Sequence, residues 1–292
     1  MRHAVIRPGD REAVEDPGRP DGAAGYRRTV MIDERCGSVH MTLGVSTLEP
    51  GTVVAPHAHS FEQSLYVLEG DVRLAVDGRV HHLEADDYTL VPLGATCALS
   101  SSGGGRWLEV VAPQARTSPR DTFAVPGTVD WDAARRPDWQ SPLRGLVGHF
   151  TEDQLPPPSS LQMEGYSGSD VTGIRLKMLV DKVFGAQHMN VFMVEFQEGG
   201  AGNTHDHPFE EAYVIVGGAA EAVLDGERYR LEVGDVVWTG VGGVHAFFPA
   251  EGTSVRWIEV QAPQPPAQGA FRFARQWEHV EATEAPRPAT PA

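Results

Sequence analysis

The chain has 292 residues, about twice a common domain length, so two domains are expected, each large enough to bury its own core. Its 40 acidic residues outweigh 24 basic ones for a net charge of −16, and no Lys/Arg cluster is dense enough to grip a phosphate backbone, so no nucleic-acid partner is expected. No run approaches the roughly 18 apolar residues of a spanning helix, the N-terminus is polar, and the two cysteines, Cys36 and Cys97, cannot build a disulfide framework; a cytoplasmic protein without a membrane partner is expected.

Residues 1–25, with Pro8-Gly9, Pro17-Gly18, Pro20 and Gly22, lack periodicity and read as a flexible N-terminal arm. Across residues 26–114, short segments rich in Val, Leu and Thr alternate with Gly, Pro and Asp: Val39 to Leu48, Ser64 to Leu68, Val72 to Val76, Val80 to Leu83, Tyr88 to Val91 and Arg106 to Val111. Strands this short and evenly spaced predict an antiparallel sandwich or barrel, and Asp77-Gly78 marks a tight hairpin. Residues 115–170, with Pro119, Pro126, Pro137, Pro142 and the Pro156-Pro157-Pro158 run, read as a linker with little regular structure. Strands resume near Ile174 and fill residues 171–264; residues 265–292 hold one aromatic segment, Phe271, Phe273 and Trp277, before a Pro/Ala tail.

The second strand-rich block repeats the first. His57 and His205, His59 and His207, Gly70 and Gly218, Asp77 and Asp225, Gly78 and Gly226, and Gly94 and Gly242 are each 148 residues apart. The offset becomes 150 where Arg106-Trp107-Leu108-Glu109-Val110 matches Arg256-Trp257-Ile258-Glu259-Val260. One offset held over so many landmarks means a duplicated all-β domain with a two-residue slip in a late loop.

His205, His207, Glu211 and His245 form the constellation that carries chemistry. Residues i and i+2 of a strand share a face, so His205 and His207 project together into a barrel, with Glu211 from the start of the next strand and His245 from across it. Three imidazoles and a carboxylate suit one divalent transition metal, Mn(II), Fe(II), Ni(II), Zn(II) or Co(II), with one or two positions open; the alternative is a set of solvated histidines in a polar loop. The matching positions of the first block are His57, His59, Gln63 and Cys97. A Zn(II) site is open to them, and a metal-free structural half is the expectation. His81, His82 and His149 show no partner spacing and read as solvated.

Both blocks resemble the two signature motifs of the cupin superfamily. Gly199, His205, His207, Glu211 and Gly218 satisfy the first, and Gly234-Asp235 with Gly240-Val241-Gly242-Gly243-Val244-His245 the second, with Gly240 where Pro is usual. The resemblance implies two tandem double-stranded β-helix (jelly-roll) barrels, a bicupin, with the metal in the second. Phe61 to Gly70, Ile174 to Lys177 and Gly240 further resemble the ureidoglycine aminohydrolase type of bicupin over residues 30 to 265, with a rearranged ligand set. That likeness implies Mn(II) as the favoured ion, a small polar organic acid as substrate and hydrolysis releasing ammonia. Arg175 or Lys177 would then hold a substrate carboxylate, and Glu195 or Glu259 would serve as general base; the alternatives are solvated charges on an edge strand and structural carboxylates.

The same ligands are also those of Fe or Mn cupin dioxygenases and decarboxylases, and Phe192, Phe196, Phe209, Trp238, Phe247 and Phe248 around the motifs offer an apolar pocket for an aromatic or enolic substrate. A non-catalytic bicupin binding a small ligand or metal is the third reading. The two halves are expected to stack as a pseudo-dimer, with assembly into a homo-oligomer left open.

Overall fold

The Val-, Leu- and Thr-rich segments become strands because β-branched and apolar side chains pack well on a pleated surface, and the Gly and Asp between them take the turns. The computed structural model describes residues 2–11, 24–76, 78–115, 121–139, 146–158, 170–266 and 270–273. Asp77 of the expected hairpin, Trp277 and the Pro/Ala tail lie outside these residues.

After β1 (His3–Ile6), the first barrel is built from β2 (Tyr26–Ile32), β3 (Thr42–Leu48), β4 (Val53–His59), β5 (Glu62–Gly70), β6 (Val72–Val76), β7 (Arg79–Leu83), β8 (Asp87–Val91), β9 (Thr96–Ser100) and β10 (Gly105–Ala112). The connection adds β11 (Thr122–Ala124) and β12 (Val147–His149). The second barrel holds β13 (Val171–Val180), β14 (Asn190–Asp206), β15 (Glu210–Leu224), β16 (Glu227–Glu232), β17 (Val236–Thr239), β18 (His245–Pro249), β19 (Val255–Ala262) and β20 (Arg272–Phe273).

The first barrel is a pair of antiparallel sheets ordered β12-β8-β5-β10-β3-β2 and β11-β4-β9-β6-β7. In the second barrel β14 and β15 run unbroken where the first has β3/β4 and β5/β6, so one sheet wraps round the whole barrel. The fold is the expected pair of all-β jelly rolls.

Strand alternation gives the second barrel's sheet two apolar faces. Phe192, Val194 and Phe196 of β14, Tyr213 and Ile215 of β15 and Val255 and Trp257 of β19 fill the barrel interior. Their neighbours Val191, Met193, Ala212, Val214, Ile258 and Val260 join Leu43, Tyr66, Leu90, Leu108 and Val110 of the first barrel in a common core between the halves. Each such side chain stabilises the packed pair by roughly 1.5–3 kcal/mol.

Two carboxylates pin this contact reciprocally. Glu210 accepts from the Ser38 hydroxyl at 2.6 Å and the Val39 amide at 2.8 Å. Glu62, its counterpart 148 residues earlier, accepts from the Gln187 and His188 amides at 2.7 and 2.9 Å.

Two expectations change. The N-terminal arm is not without structure: β1 pairs antiparallel with β17, Ile6 enters the core between the barrels, and Arg7 pairs with Asp235. Four residues are too few for a periodicity to be read, and the edge of β17 supplies the partner. The linker likewise lays β11 along β4 and β12 along β8. No helix among the described residues is long and apolar enough to cross a membrane.

Candidate metal centre

Register brings the four motif residues together inside the second barrel. His205, near the end of β14, sits opposite His245 at the start of β18; Glu211, the second residue of β15, lies opposite Thr239 and Gln261. One nitrogen from each of His205, His207 and His245 falls within 4.8 Å of the others. His207, Glu211 and His245 are fully buried, and His205 lies at the rim.

Every ring is oriented by a main-chain carbonyl. Nδ1 of His205 lies 2.7 Å from the Asn203 carbonyl, Nδ1 of His207 2.7 Å from that of Phe209, and Nδ1 of His245 3.0 Å from that of Gly243. A carbonyl only accepts, so each Nδ1 is the donor and each Nε2 turns inward, which is how ligating imidazoles are fixed.

Glu211 is the hub. Its Oε2 lies 2.6 Å from His207 Nε2, its Oε1 accepts from Gln261 Nε2 at 2.8 Å, and the Tyr213 hydroxyl donates to it while standing 3.0 Å from His245 Nε2. Burial alone would raise the Glu211 pKa, but His207 and then His245 hold it well below the usual carboxylate range. His207 is raised in turn, since pairing with Glu211 outweighs the burial that would lower it. Burial first, and the neighbouring His245 second, lower His205.

Of the four residues expected to bind or move protons, only Glu259 faces these ligands. It is buried, takes a 2.9 Å bond from Trp257 Nε1, and is raised well above its ordinary pKa by burial and then by the charge of Glu211. Glu195, Arg175 and Lys177 stand elsewhere, for a reason of parity. Glu195 alternates with Val194 and Phe196, and Arg175 and Lys177 with Ile174, Leu176 and Met178, so all three point away from the barrel interior. Arg175 bonds to Glu195 Oε1 at 2.9 Å and to the Leu155 carbonyl, and Arg256 completes an ion cluster on Glu195. A substrate carboxylate therefore does not find Arg175 beside His205, His207, Glu211 and His245.

Sequence reasoning missed Tyr213, Gln261 and the strap of β20. Alternation could have found the first two, which stand two residues beyond Glu211 and Glu259. The strap lies against β14 with Phe273 opposite His205, while Arg272 pairs with Asp206 on the other side. Phe273 and Phe271 lie 5.2 and 6.0 Å from the His205 ring, and Phe209 stacks on His207 at 4.2 Å. These rings roof the ligands.

The first barrel repeats the frame with different contents. Glu109, the counterpart of Glu259, is buried and paired with buried Arg28, and takes bonds from Tyr26, Ser46 and Trp107 at 2.8, 2.7 and 3.1 Å. Burial would raise it, but Arg28 holds it below its ordinary value. In the second barrel Leu176 occupies the place of Arg28, since Arg28 pairs with Ser46 and Leu176 with Val194 in matching register. His57, His59 and Cys97 are all buried and share a cluster within 4.8 Å.

A cupin domain model matches residues 44–111 and 192–261. Two curated relatives match over part of the chain. A protein named polyketide synthase CurC from Streptomyces cyaneus is 30% identical over 94 residues, 32% of this chain and 57% of that protein; the uncharacterized protein y4oW of Sinorhizobium fredii is 31% identical over 88 residues, 30% of this chain and 38% of that one. The matches thus span little more than half, and well under half, of these relatives' lengths.

Solved structures match more widely. Oxalate decarboxylase of Lactobacillus farciminis, in a formate complex, superposes with a TM-score of 0.63 at 16% identity over 99% of this chain and 96% of its own. Salicylate 1,2-dioxygenase of Pseudaminobacter salicylatoxidans gives 0.67 at 18% identity over 82% and 77%. At such identities the likeness is one of fold, and both neighbours are enzymes.

Proposed function

Since the chain is a bicupin of the cupin superfamily, we propose that its second barrel is a divalent-metal enzyme centre, Mn(II) or Fe(II), of the dioxygenase or decarboxylase class. Its substrate is an aromatic or enolic compound that presents two oxygens placed to chelate one ion. The observation that carries this reading is the roof: His205, His207, Glu211 and His245 converge beneath Phe209, Phe271 and Phe273, while Arg175 and Lys177 lie on the opposite face of the sheet. Such a pocket favours an apolar body that is held by chelation rather than by a fixed guanidinium.

The donor set fits the ion. Three imidazoles with inward Nε2 atoms and one carboxylate held below its usual range supply borderline and hard donors that suit Mn(II) and Fe(II). When bound, the ion supplies Lewis-acid or redox chemistry to the chelated oxygens. The chain's own residues do the rest. Carbonyl bonds to each Nδ1 hold the rings, Tyr213 and Gln261 fix the two oxygens of Glu211, and the aromatic roof sheds water. Glu259, whose carboxyl burial and then the charge of Glu211 raise well above its ordinary range, is placed to keep a proton within the site.

The names of the relatives agree in chemistry. Salicylate is an aromatic hydroxy acid, and a polyketide chain carries oxygens on alternate carbons that chelate as enols. The ureidoglycine type of hydrolysis is the competing reading, without Arg175 to grip the substrate. The deciding experiment measures oxygen uptake, carbon dioxide release and ammonia release by Mn(II)- and Fe(II)-loaded protein given salicylate, gentisate, catechol, acetylacetone, oxalate and ureidoglycine. Oxygen uptake or decarboxylation with the aromatic or enolic members supports the proposal. Ammonia from ureidoglycine alone would replace it with hydrolysis, and no turnover together with no stoichiometric metal would leave a ligand-binding bicupin.

A further inference from the structure

We propose that His57, His59 and Cys97 of the first barrel bind a thiophilic d10 ion, Zn(II) or Cu(I), in a closed site that takes no substrate. Three independent features support it. The first is convergence: β4 and β9 set His57 directly opposite Cys97, the thiol sulfur lies 3.4 Å from His57 Nε2, and the ligand atoms of all three residues lie within 4.8 Å. Exposure of the three is 4%, 2% and 1%, so water has little access to them.

The second feature is preorganisation. His57 Nδ1 lies 2.7 Å from the Ala55 carbonyl and His59 Nδ1 3.0 Å from the Thr122 hydroxyl, so both Nε2 atoms turn inward, as in the second barrel. His59 Nε2 is buried with no hydrogen-bond partner. An orphaned ring nitrogen aimed into a cluster of donors is what a missing cation leaves behind, because burying it unpaired is costly. β11 lies along β4 with Thr122 opposite His59, and Phe61 stacks on His59 at 4.4 Å, which shuts the site.

The third feature is the kind of donor. Gln63 stands where the second barrel has Glu211, and the nearby carboxylate of Glu109 is already neutralised by Arg28. Among the described residues no further carboxylate joins the cluster, and two imidazoles with one thiolate select soft or borderline ions over Mn(II). The competing account is a metal-free Cys97–His57 hydrogen bond filling the space.

The test uses the full chain in a His205→Ala/His245→Ala background, which strips ligands from the second barrel. After chelation and dialysis, the protein is offered Zn(II), Cu(I) and, as a spectroscopic probe, Co(II). One retained equivalent of Zn(II) or Cu(I), with an intense thiolate-to-cobalt charge-transfer band in the near ultraviolet, supports the site; which ion displaces the other assigns it. Adding Cys97→Ser should abolish both the equivalent and the band while circular dichroism stays unchanged. If that variant does not fold, His59→Gln tests the same site, with loss of the equivalent expected. No bound metal from either ion, or an equivalent that survives both substitutions without a charge-transfer band, would overturn the proposal and leave the second barrel's assignment untouched.

Discussion

The sharpest contrast between the barrels is the cation beside the buried carboxylate, and Arg28→Leu tests it by giving the first barrel the residue of the second. Arg28 and Glu109 side chains are 1% and 2% exposed, with Nε 3.4 Å from Oε1. Unit charges near that separation attract by about 4–5 kcal/mol at an effective dielectric of 20, and stripping one partner from a buried pair costs about 3–5 kcal/mol. Glu109 would keep its bonds from Tyr26, Ser46 and Trp107, so a loss near 3 kcal/mol is expected at about pH 8. Adding Glu109→Gln should restore most of it, because an amide oxygen still accepts from Tyr26 and Trp107 and carries no charge. The assay is urea unfolding followed by tryptophan fluorescence. Acid should narrow the gap from both sides. In the native chain Glu109 lies below its ordinary pKa, so its stabilisation is present above that value and is lost as pH falls through the folded one. In the variant, burial without a cation raises Glu109, so the deficit fades as pH falls through the raised value. A deficit under about 1 kcal/mol at pH 8, a gap that widens in acid, or additive losses in the double variant would refute the ion-pair reasoning.

Glu211→Gln, which copies the first barrel's Gln63, should weaken Mn(II) binding at least a hundredfold, roughly; titration calorimetry that found affinity within tenfold would remove Glu211 from the ligand set. Because pairing raises His207 and a ligand nitrogen must be bare, metal occupancy should fall as pH drops through the raised His207 value, followed by elemental analysis of dialysed protein; occupancy that stays full below the ordinary histidine range would count against His207 as a ligand. Glu210→Ala strips the acceptor from Ser38, Val39 and the Trp238 indole, all at the contact between barrels, and should cost about 2–3 kcal/mol and broaden or split the urea transition; an unchanged single transition would separate the clamp from the coupling of the halves. Phe271→Ala should raise KM for an aromatic substrate roughly tenfold and leave Tm nearly unchanged, since the ring is only half-buried at the mouth.

The duplication, the all-β architecture and the meeting of His205, His207, Glu211 and His245 were legible because each depends on local spacing: a two-residue period within a strand and a constant offset between halves. Glu195, Arg175 and Lys177 were candidates for the same reason that Glu259 was, a charge set in an apolar strand. Only parity separates them, and parity can be read only when the face that lines the barrel is known. The sheet has two apolar faces, one lining the barrel and one lining the contact between barrels, so hydrophobicity on both sides of Glu195 does not say which way it points. β1 and β20 escaped because a strand of two to four residues carries no period of its own and exists through the edge it joins.

That two-faced sheet ties the site to the interface. Glu210 and Glu211 are neighbours on β15, so they point in opposite directions: one clamps the Ser38 turn of the first barrel, the other joins the ligands. A slip of one residue would exchange their faces, leaving the clamp empty and the metal site without its carboxylate. The core between the barrels thus supplies the rigidity that holds Glu211 against His207. The first barrel shows the two roles separated. Glu62 keeps the clamp, on Gln187 and His188, while its neighbour Gln63 has no carboxylate to offer. The clamp does not depend on a carboxylate at the next position, because alternation isolates one face from the other. On that face Arg28 stands beside Glu109 where the second barrel has Leu176, and the histidines beside Cys97 form a set suited to a softer ion.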